Sequence, residues 1–346
     1  MEGKRIRAVV IDDAEYMRNA ITKILQTDPH IEVVGYGRTG IDGIREIRRL
    51  RPDVVTLDID MPEMDGIRAL RHIMIHVPTP VVIVSALTHQ GDITFEALRL
   101  GAVDFLPKPS GSISRDIEVQ KEDLINRVKI ASTADINRIR RARIPNKRGA
   151  RQLTAPAWTH EKILAIGTSL GGPNSIIRLI CRLPNNLPFP IVVTQDISPV
   201  IIDSFVEKFD AVAPLAVKSA QDGIELEAAT VYINSLDRYL TFSRTSDNSV
   251  FMGLGPSDGN PIDAMLISGS ETFGAGTVGI LFAGVRRDGV SGLSAVNDRG
   301  GVTVMEDRSG YFLPDSNEEI SRQGIAQHVM DDHAMPSFVA GLLKGH

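Results

Sequence analysis

Two stretches of this chain alternate short apolar runs with segments of helical period, and a basic, proline-punctuated stretch separates them. In the first stretch the apolar runs are Ile6–Ile11, Ile31–Gly35, Val54–Ile59, Val81–Ser85 and Val103–Leu106. They are rich in β-branched residues and of strand length. Between them, Tyr16–Leu25, Ile41–Leu50, Ile67–Ile75 and Thr94–Leu100 carry apolar positions at helical spacing. Strands that alternate with helices predict right-handed βαβ units, and hence a parallel sheet covered on both faces. The pattern restarts at Lys162, with strand-like runs at Ile163–Gly167, Ile191–Thr194, Ala216–Ser219, Val231–Asn234 and Val278–Ala283. Helical patterns there include Pro173–Cys181, Ile201–Phe209 and Ile262–Thr272. The fold class is therefore α/β twice over: a (βα)5 domain, then a second domain built on a doubly wound parallel sheet.

Length agrees with two cores. At 346 residues the chain exceeds one average domain, and 42% hydrophobic content suffices to fill two. We divide it into residues 1–130, a basic linker at 131–158, and residues 159–346. The linker concentrates Arg138, Arg140, Arg141, Arg143, Lys147, Arg148 and Arg151, punctuated by Pro145, Gly149 and Pro156. It reads as a solvated tether, with an acidic partner surface or nucleic acid as the second reading. The formal net charge of -5 gives no general pull toward nucleic acid, and no helix-turn-helix pattern follows the first domain, so no DNA binding is expected. Cys181 is the only cysteine, which rules out an internal disulfide. The N-terminus runs straight into a strand-like segment, and no apolar run reaches bilayer length, so a cytoplasmic protein without membrane insertion is expected.

In open parallel sheets, ligands sit beyond the carboxyl ends of the strands. Here those ends carry Asp12-Asp13 after the first run, Asp58-Ile59-Asp60-Met61-Pro62 after the third, Ser85 after the fourth, and Phe105-Leu106-Pro107-Lys108-Pro109 after the fifth. Carboxylates, a hydroxyl and an ammonium on one rim suit a hard cation and a phosphoryl group arriving on a carboxylate oxygen. Any one of these residues alone reads as a strand-end group facing water; the set does not. Residues 5 to 130 resemble a response-regulator receiver domain, and Asp58 through Gly66 is a near-complete match to its phosphorylation segment. The resemblance implies a flavodoxin-like fold for this domain and Asp58 as phosphoacceptor. It implies Mg2+ on Asp13 and Asp58, with Asp12 more remote and Asp60 contributing its carbonyl. Ser85 and Lys108 would contact phosphoryl oxygens, and Phe105 would be the aromatic that reorients on activation. A histidine kinase would be the phosphoryl donor.

The second domain opens with Ile166-Gly167-Thr168-Ser169-Leu170-Gly171-Gly172, directly after an apolar run. Its glycines suit a tight strand-to-helix turn that exposes a hydroxyl above a helix N-terminus. It is neither a Gly-x-Ser-x-Gly elbow nor a dinucleotide loop. With a receiver and a linker before it, the segment resembles the CheB family of chemotaxis protein-glutamate methylesterases, and the likeness extends over nearly the whole chain. Its pieces are Leu164–Gly172, Val193–Pro199, Asp222-Gly223, Val231–Asn234 and Ile280–Gly292. The resemblance implies a serine hydrolase that removes methyl esters from chemoreceptor glutamates and deamidates glutamines there. Ser169 matches the nucleophile and Asp288 the acid that orients the family's histidine.

The histidine itself is missing. The family's Thr-Gln-His-Met-Pro reads Thr194-Gln195-Asp196-Ile197-Ser198 here. Further departures are Ala283-Gly284-Val285-Arg286, Gly259-Asn260-Pro261-Ile262-Asp263 and Phe312-Leu313-Pro314-Asp315. A hydroxyl is a poor nucleophile until a neighbouring base takes its proton, and a carboxylate with a pKa of about 4 is badly matched to that task at neutral pH. Asp196 and Asp288 could instead hold a cation, on weaker grounds. His160, His328 and His333 lie on segments that the family pattern places outside the cleft. Two readings follow: a phosphorylation-gated methylesterase and deamidase with altered chemistry at Ser169, Asp196 and Asp288, or a regulator without catalysis whose second domain binds a partner. The effector domain needs no cofactor in either.

Overall fold

The computed structural model describes residues 5–86, 91–108, 115–134, 136, 158–169, 172–257, 259–282, 288–307, 320, 322–331 and 333–342. The basic linker from Arg138 to Arg151, together with Pro156, lies outside them, as do Pro109, Leu170, Gly171, Ala283 to Arg287 and Phe312 to Asp315. The chain divides into two compact units near residue 143.

In the first unit, strands β1 (Ile6–Ile11), β2 (Ile31–Gly37), β3 (Val54–Leu57), β4 (Val81–Ser85) and β5 (Asp104–Pro107) form one parallel sheet in the order β2-β1-β3-β4-β5. Helices α1 (Glu15–Leu25), α2 (Gly40–Leu50), α3 (Gly66–His76), α4 (Gly91–Leu100) and α5 (Arg115–Ser132) connect and cover it. Because β1, β3 and β4 are buried on both faces, they read as near-continuous apolar runs, while the edge strand β2 alternates buried and exposed residues. One core gathers Ala8, Val10, Val54, Val82, Val84 and Leu106 against Ile21, Leu25, Leu124 and Val128. The chain leaves β1 toward β2 and returns on its other side at β3. The crevice at that reversal, between the carboxyl ends of β1 and β3, is where such sheets place ligands.

The second unit holds a seven-stranded sheet in the order β14-β13-β12-β6-β7-β9-β8, parallel throughout. Its strands are β6 (Ile163–Gly167), β7 (Ile191–Gln195), β8 (Ala216–Ser219), β9 (Thr230–Ser235), β12 (Thr277–Leu281), β13 (Val302–Glu306) and β14 (His328–Met330). Its helices are α6 (Gly172–Ile180), α7 (Ile202–Val212), α8 (Pro261–Phe273), α9 (Val290–Asp298) and α10 (Met335–Gly341). An antiparallel hairpin, β10 (Arg238–Arg244) with β11 (Val250–Pro256), packs Leu240, Phe242 and Met252 against Met265, Leu266 and Phe273. Here the reversal falls between β6 and β12, so the ligand-bearing crevice lies where those two strands end. Among the described residues, no helix is long and apolar enough to cross a membrane.

Several expected boundaries shift by one or two residues. The third strand ends at Leu57 rather than Ile59, which leaves Asp58 just beyond the sheet, and β12 ends at Leu281 rather than Ala283. β2 runs on to Gly37 rather than Gly35, and β5 covers Asp104–Pro107 rather than Val103–Leu106. After β3 the backbone bonding turns into the following loop, where Gly66 N–H bonds to the Ile59 carbonyl, whereas Phe282 N–H still bonds to the Gly167 carbonyl of β6.

Candidate functional sites

The first candidate site forms at the β1–β3 crevice. Asp12 and Asp58 are buried and Asp13 is exposed, yet each offers a carboxylate oxygen within 4.8 Å of the other two. Local bonding fixes them in place. Asp12 Oδ1 accepts the Ala14 N–H at 2.9 Å, and Asp58 Oδ1 accepts its neighbour Ile59 N–H at 2.8 Å. Lys108 follows β5 and reaches back across the rim, its Nζ 2.7 Å from Asp58 Oδ2 and 2.9 Å from Asp12 Oδ2. The Lys108 N–H also bonds to the Ser85 carbonyl at 2.8 Å, which ties the ends of β4 and β5 together.

Burial pushes the Asp58 carboxyl above the ordinary carboxylate range, and the Asp12 charge adds to this against the pull of Lys108. Burial alone would lower the Lys108 ammonium, but its bonds to Asp12 and Asp58 outweigh that and raise it. The pocket thus crowds two buried anions on one cation, and it favours further positive charge. Three hard oxygen donors fit a Mg2+ ion, which keeps several waters and needs few protein ligands. The Asp60 side chain is exposed and stands apart from this carboxylate cluster. Among the described residues Ser85 Oγ is buried without a partner, an orphan donor at the rim; Ser85 pairs with Pro107 across β4 and β5, while Phe105 is buried and pairs with Ile83 two residues earlier.

Gly66 explains why the loop after Asp58 needs glycine. A Cβ there would collide with the Asp58 carbonyl, so the backbone of α3 can approach the candidate phosphoacceptor only without a side chain. The Asp65 side chain accepts the Arg68 N–H at 2.8 Å, which caps α3 and fixes the loop's exit.

The second candidate site forms at the β6–β12 crevice. Ser169 follows β6 and is half-buried; its carbonyl accepts the Gly172 N–H at 2.9 Å, closing a tight turn into α6. A Cβ on Gly172 would strike the Thr168 side chain, so this turn also requires glycine. Asp196 follows β7, the strand beside β6, and is half-buried. Asp288 follows β12, on the other side of β6. The topology therefore brings all three candidates to the carboxyl ends of three adjacent strands.

Asp288 has a second occupation. Its Oδ2 accepts the Ile262 N–H at 3.0 Å and its Oδ1 the Asp263 N–H at 2.8 Å, so it caps α8. In return, Asp263 Oδ1 accepts the Gly289 and Gly292 N–H groups at 2.9 and 2.6 Å, capping α9. Each helix N-terminus is closed by a carboxylate from the other. Burial, with the Asp263 charge adding to it, pushes the Asp288 carboxyl up to about 6. Burial likewise raises Asp263.

A pH dependence follows. The folded state holds the Asp288 proton more tightly than the unfolded chain, so stability falls as pH rises from about 4 to 6 and stays lower above that window. The expected drop is on the order of 2–3 kcal/mol in the second unit, and Asp288→Asn should flatten it. Denaturant titrations at a series of pH values, wild type against variant, check this.

The sequence did not single out Asp263 as a site residue, although an acidic residue just inside a Pro-initiated helix is a visible capping signal. Nor did it flag Thr168 or Gln195. Among the described residues, the Thr168 hydroxyl just before Ser169 and both ends of the Gln195 amide at the end of β7 are buried without a partner. His160 precedes β6, at the opposite end of that strand from Ser169, and packs on Trp158 with ring centroids 4.3 Å apart. His328 packs on Phe338 from the edge strand β14, and His333 Nδ1 lies 3.3 Å from Arg182.

Comparison with known proteins agrees with both halves. Residues 8–115 match the response regulator receiver domain and residues 164–339 the CheB methylesterase family. A Pyrococcus abyssi protein named protein-glutamate methylesterase/protein-glutamine glutaminase is 33% identical, covering 98% of this chain and 94% of that protein. A Thermotoga maritima protein of the same name is 34% identical, covering 97% of this chain and 98% of that protein. The crystal structure of the Thermotoga maritima CheB methylesterase catalytic domain is 31% identical, with a TM-score of 0.49, covering 52% of this chain and 98% of that one. Matched from end to end by such relatives, the chain belongs to the CheB family: a chemotaxis response regulator with a receiver domain followed by a methylesterase domain.

Proposed function

We propose that this protein is a phosphorylation-controlled regulator of a chemoreceptor-type protein, with a complete phospho-switch and a hydrolase site that has lost its base. Asp58 is the phosphoacceptor: a cognate histidine kinase gives up a phosphoryl group as an Asp58 oxygen bonds to phosphorus. Asp13 and Asp58 would hold Mg2+, together with the Asp60 carbonyl, and Asp12 stands behind them. When bound, the ion supplies positive charge that offsets the phosphoryl oxygens. Lys108 contributes its ammonium from beside Asp58, and the orphan Ser85 hydroxyl donates to a phosphoryl oxygen. Phe105 then repacks, and the receiver shifts a two-state equilibrium that governs the second domain. Asp58→Asn is expected to abolish phosphoryl uptake from acetyl phosphate, and with it any phosphorylation-dependent binding to receptor. Binding that still responds to acetyl phosphate in this variant would sink the switch.

In the second domain Ser169 stands at the nucleophile position and Asp288 at the acid position. The observation that carries the reading is Asp196, a carboxylate at the base position on the strand beside Ser169. Ester hydrolysis needs the Ser169 proton to leave as its Oγ bonds to the ester carbon, and as a residue type a carboxylate is a weaker base for that proton than an imidazole. Asp288 is also bound to two helix N–H groups, which suits a structural strut as well as a catalytic acid. We therefore favour a site that binds receptor side chains and turns them over slowly. Methanol release from methylated receptor tests this, with Ser169→Ala as the blank. Wild type should lie within a few-fold of the blank, and robust release that vanishes in Ser169→Ala would overturn the reading. A fluorophosphonate probe gives the same answer for Ser169 reactivity alone.

A further inference from the structure

The outer face of α3 carries two histidines that the phospho-switch does not use. His72 and His76 lie four positions apart, which places them one above the other on a single helix face. Both are exposed, and their rings already stack, with centroids 5.6 Å apart and planes inclined by 30°. We propose that His72 and His76 form a bidentate site for a borderline transition-metal ion of the Zn2+ or Ni2+ class.

Several features support this. Neutral imidazole is a good ligand for such ions, and an i, i+4 pair on a helix is a spacing that zinc sites use. Metal–nitrogen bonds of about 2.0–2.1 Å require one nitrogen from each ring to converge. Exposed side chains change rotamer in picoseconds to nanoseconds, so the stacked rings can turn to meet an ion without moving the backbone. Position helps as well. His76 is the last residue of α3, where free backbone carbonyls make the negative end of the helix dipole. Arg71, the nearest cation in sequence, leans away toward Glu96 of α4, 3.8 Å distant. Water fills the remaining coordination positions.

The donor chemistry separates this site from the Asp12, Asp13 and Asp58 cluster, which precedes the other end of the helix. Oxygen donors there select a hard ion, and nitrogen donors here select a softer one. A chelate across one turn ties the end of α3 together, so metal binding stabilises the receiver by mass action.

The test uses the full-length chain in excess Mg2+, which fills the carboxylate cluster. ZnCl2 is titrated against a chromophoric chelator for wild type, His72→Ala, His76→Ala and the double variant, with thermal unfolding followed in parallel. Wild type should bind one equivalent and melt at a higher temperature with zinc. Each single variant should bind at least tenfold more weakly and lose the shift, because one imidazole no longer chelates. All four proteins should melt together without zinc, since both side chains are exposed. Zinc binding by wild type no tighter than by the double variant would overturn the proposal.

Discussion

Asp196→His is expected to release methanol from methylated receptor about 10³–10⁴ times faster than wild type, the scale on which loss of a triad member acts. Three features make recovery physically reasonable. Residue 196 lies at the end of β7, beside the strand that presents Ser169. Ser169 itself sits in a turn held by the Gly172 N–H and by glycine packing against Thr168, so the nucleophile is positioned independently of residue 196. Asp288 accepts one N–H on each oxygen, and a carboxylate oxygen has room for another donor. A histidine at 196 could therefore be oriented without uncapping α8. The control is Asp196→His combined with Ser169→Ala, which should return to the blank. If Asp196→His gains nothing while its Ser169 reacts with a fluorophosphonate, the departures elsewhere in the cleft, at Asn260 and Ile262 for example, limit turnover.

Breaking the Arg127–Asp104 pair is expected to destabilise the receiver by about 3–5 kcal/mol. Arg127 on α5 and Asp104 at the start of β5 are both buried, 2.7 Å apart. Asp104→Ala removes the carboxylate that faces the buried guanidinium, and the loss of that charge partner in the core is the main cost. A double variant, Asp104→Leu with Arg127→Met, should recover most of the loss, because neither charge then remains buried. Equilibrium urea unfolding of the three proteins distinguishes the outcomes, and a loss below about 1 kcal/mol for Asp104→Ala would rule out a structural role for the pair. The pair also bears on signalling. Asp104 Oδ1 accepts the Phe105 N–H at 2.8 Å, so the same carboxylate holds the backbone of the candidate switch aromatic.

The receiver was legible because four of its five strands, β1, β3, β4 and β5, are mostly buried apolar runs with chemistry at one end. Ile6–Ile11 and Val81–Ser85 match the structure residue for residue, and Asp12, Asp13, Asp58 and Lys108 meet there as strand ends must in a parallel sheet. The second unit was harder. The hairpin of β10 and β11 is amphipathic, its turn residues Thr245 to Ser249 lacking an Asn-Gly or Asp-Gly pair, and it escaped the search for parallel units. The strands β13 and β14 are short and close the sheet at its far edge. The double duty of Asp288 was invisible because its partners, Ile262 and Asp263, lie about 25 residues away, and nothing in local sequence encodes a tertiary cap. The base-position change at 196, by contrast, is plain in sequence alone.

The exchanged caps of α8 and α9 have a consequence for how this domain opens. A helix capped by its own residues can fray at that end without disturbing its neighbours. Here, unwinding the first turn of α8 withdraws Asp263 from α9, and unwinding α9 loosens the loop that holds Asp288 over α8. Neither end has a cheap private route to disorder, so the two form one cooperative foldon whose amides are protected from solvent exchange together. Asp288 thus inherits the rigidity of two helices, whether or not chemistry still takes place beside it.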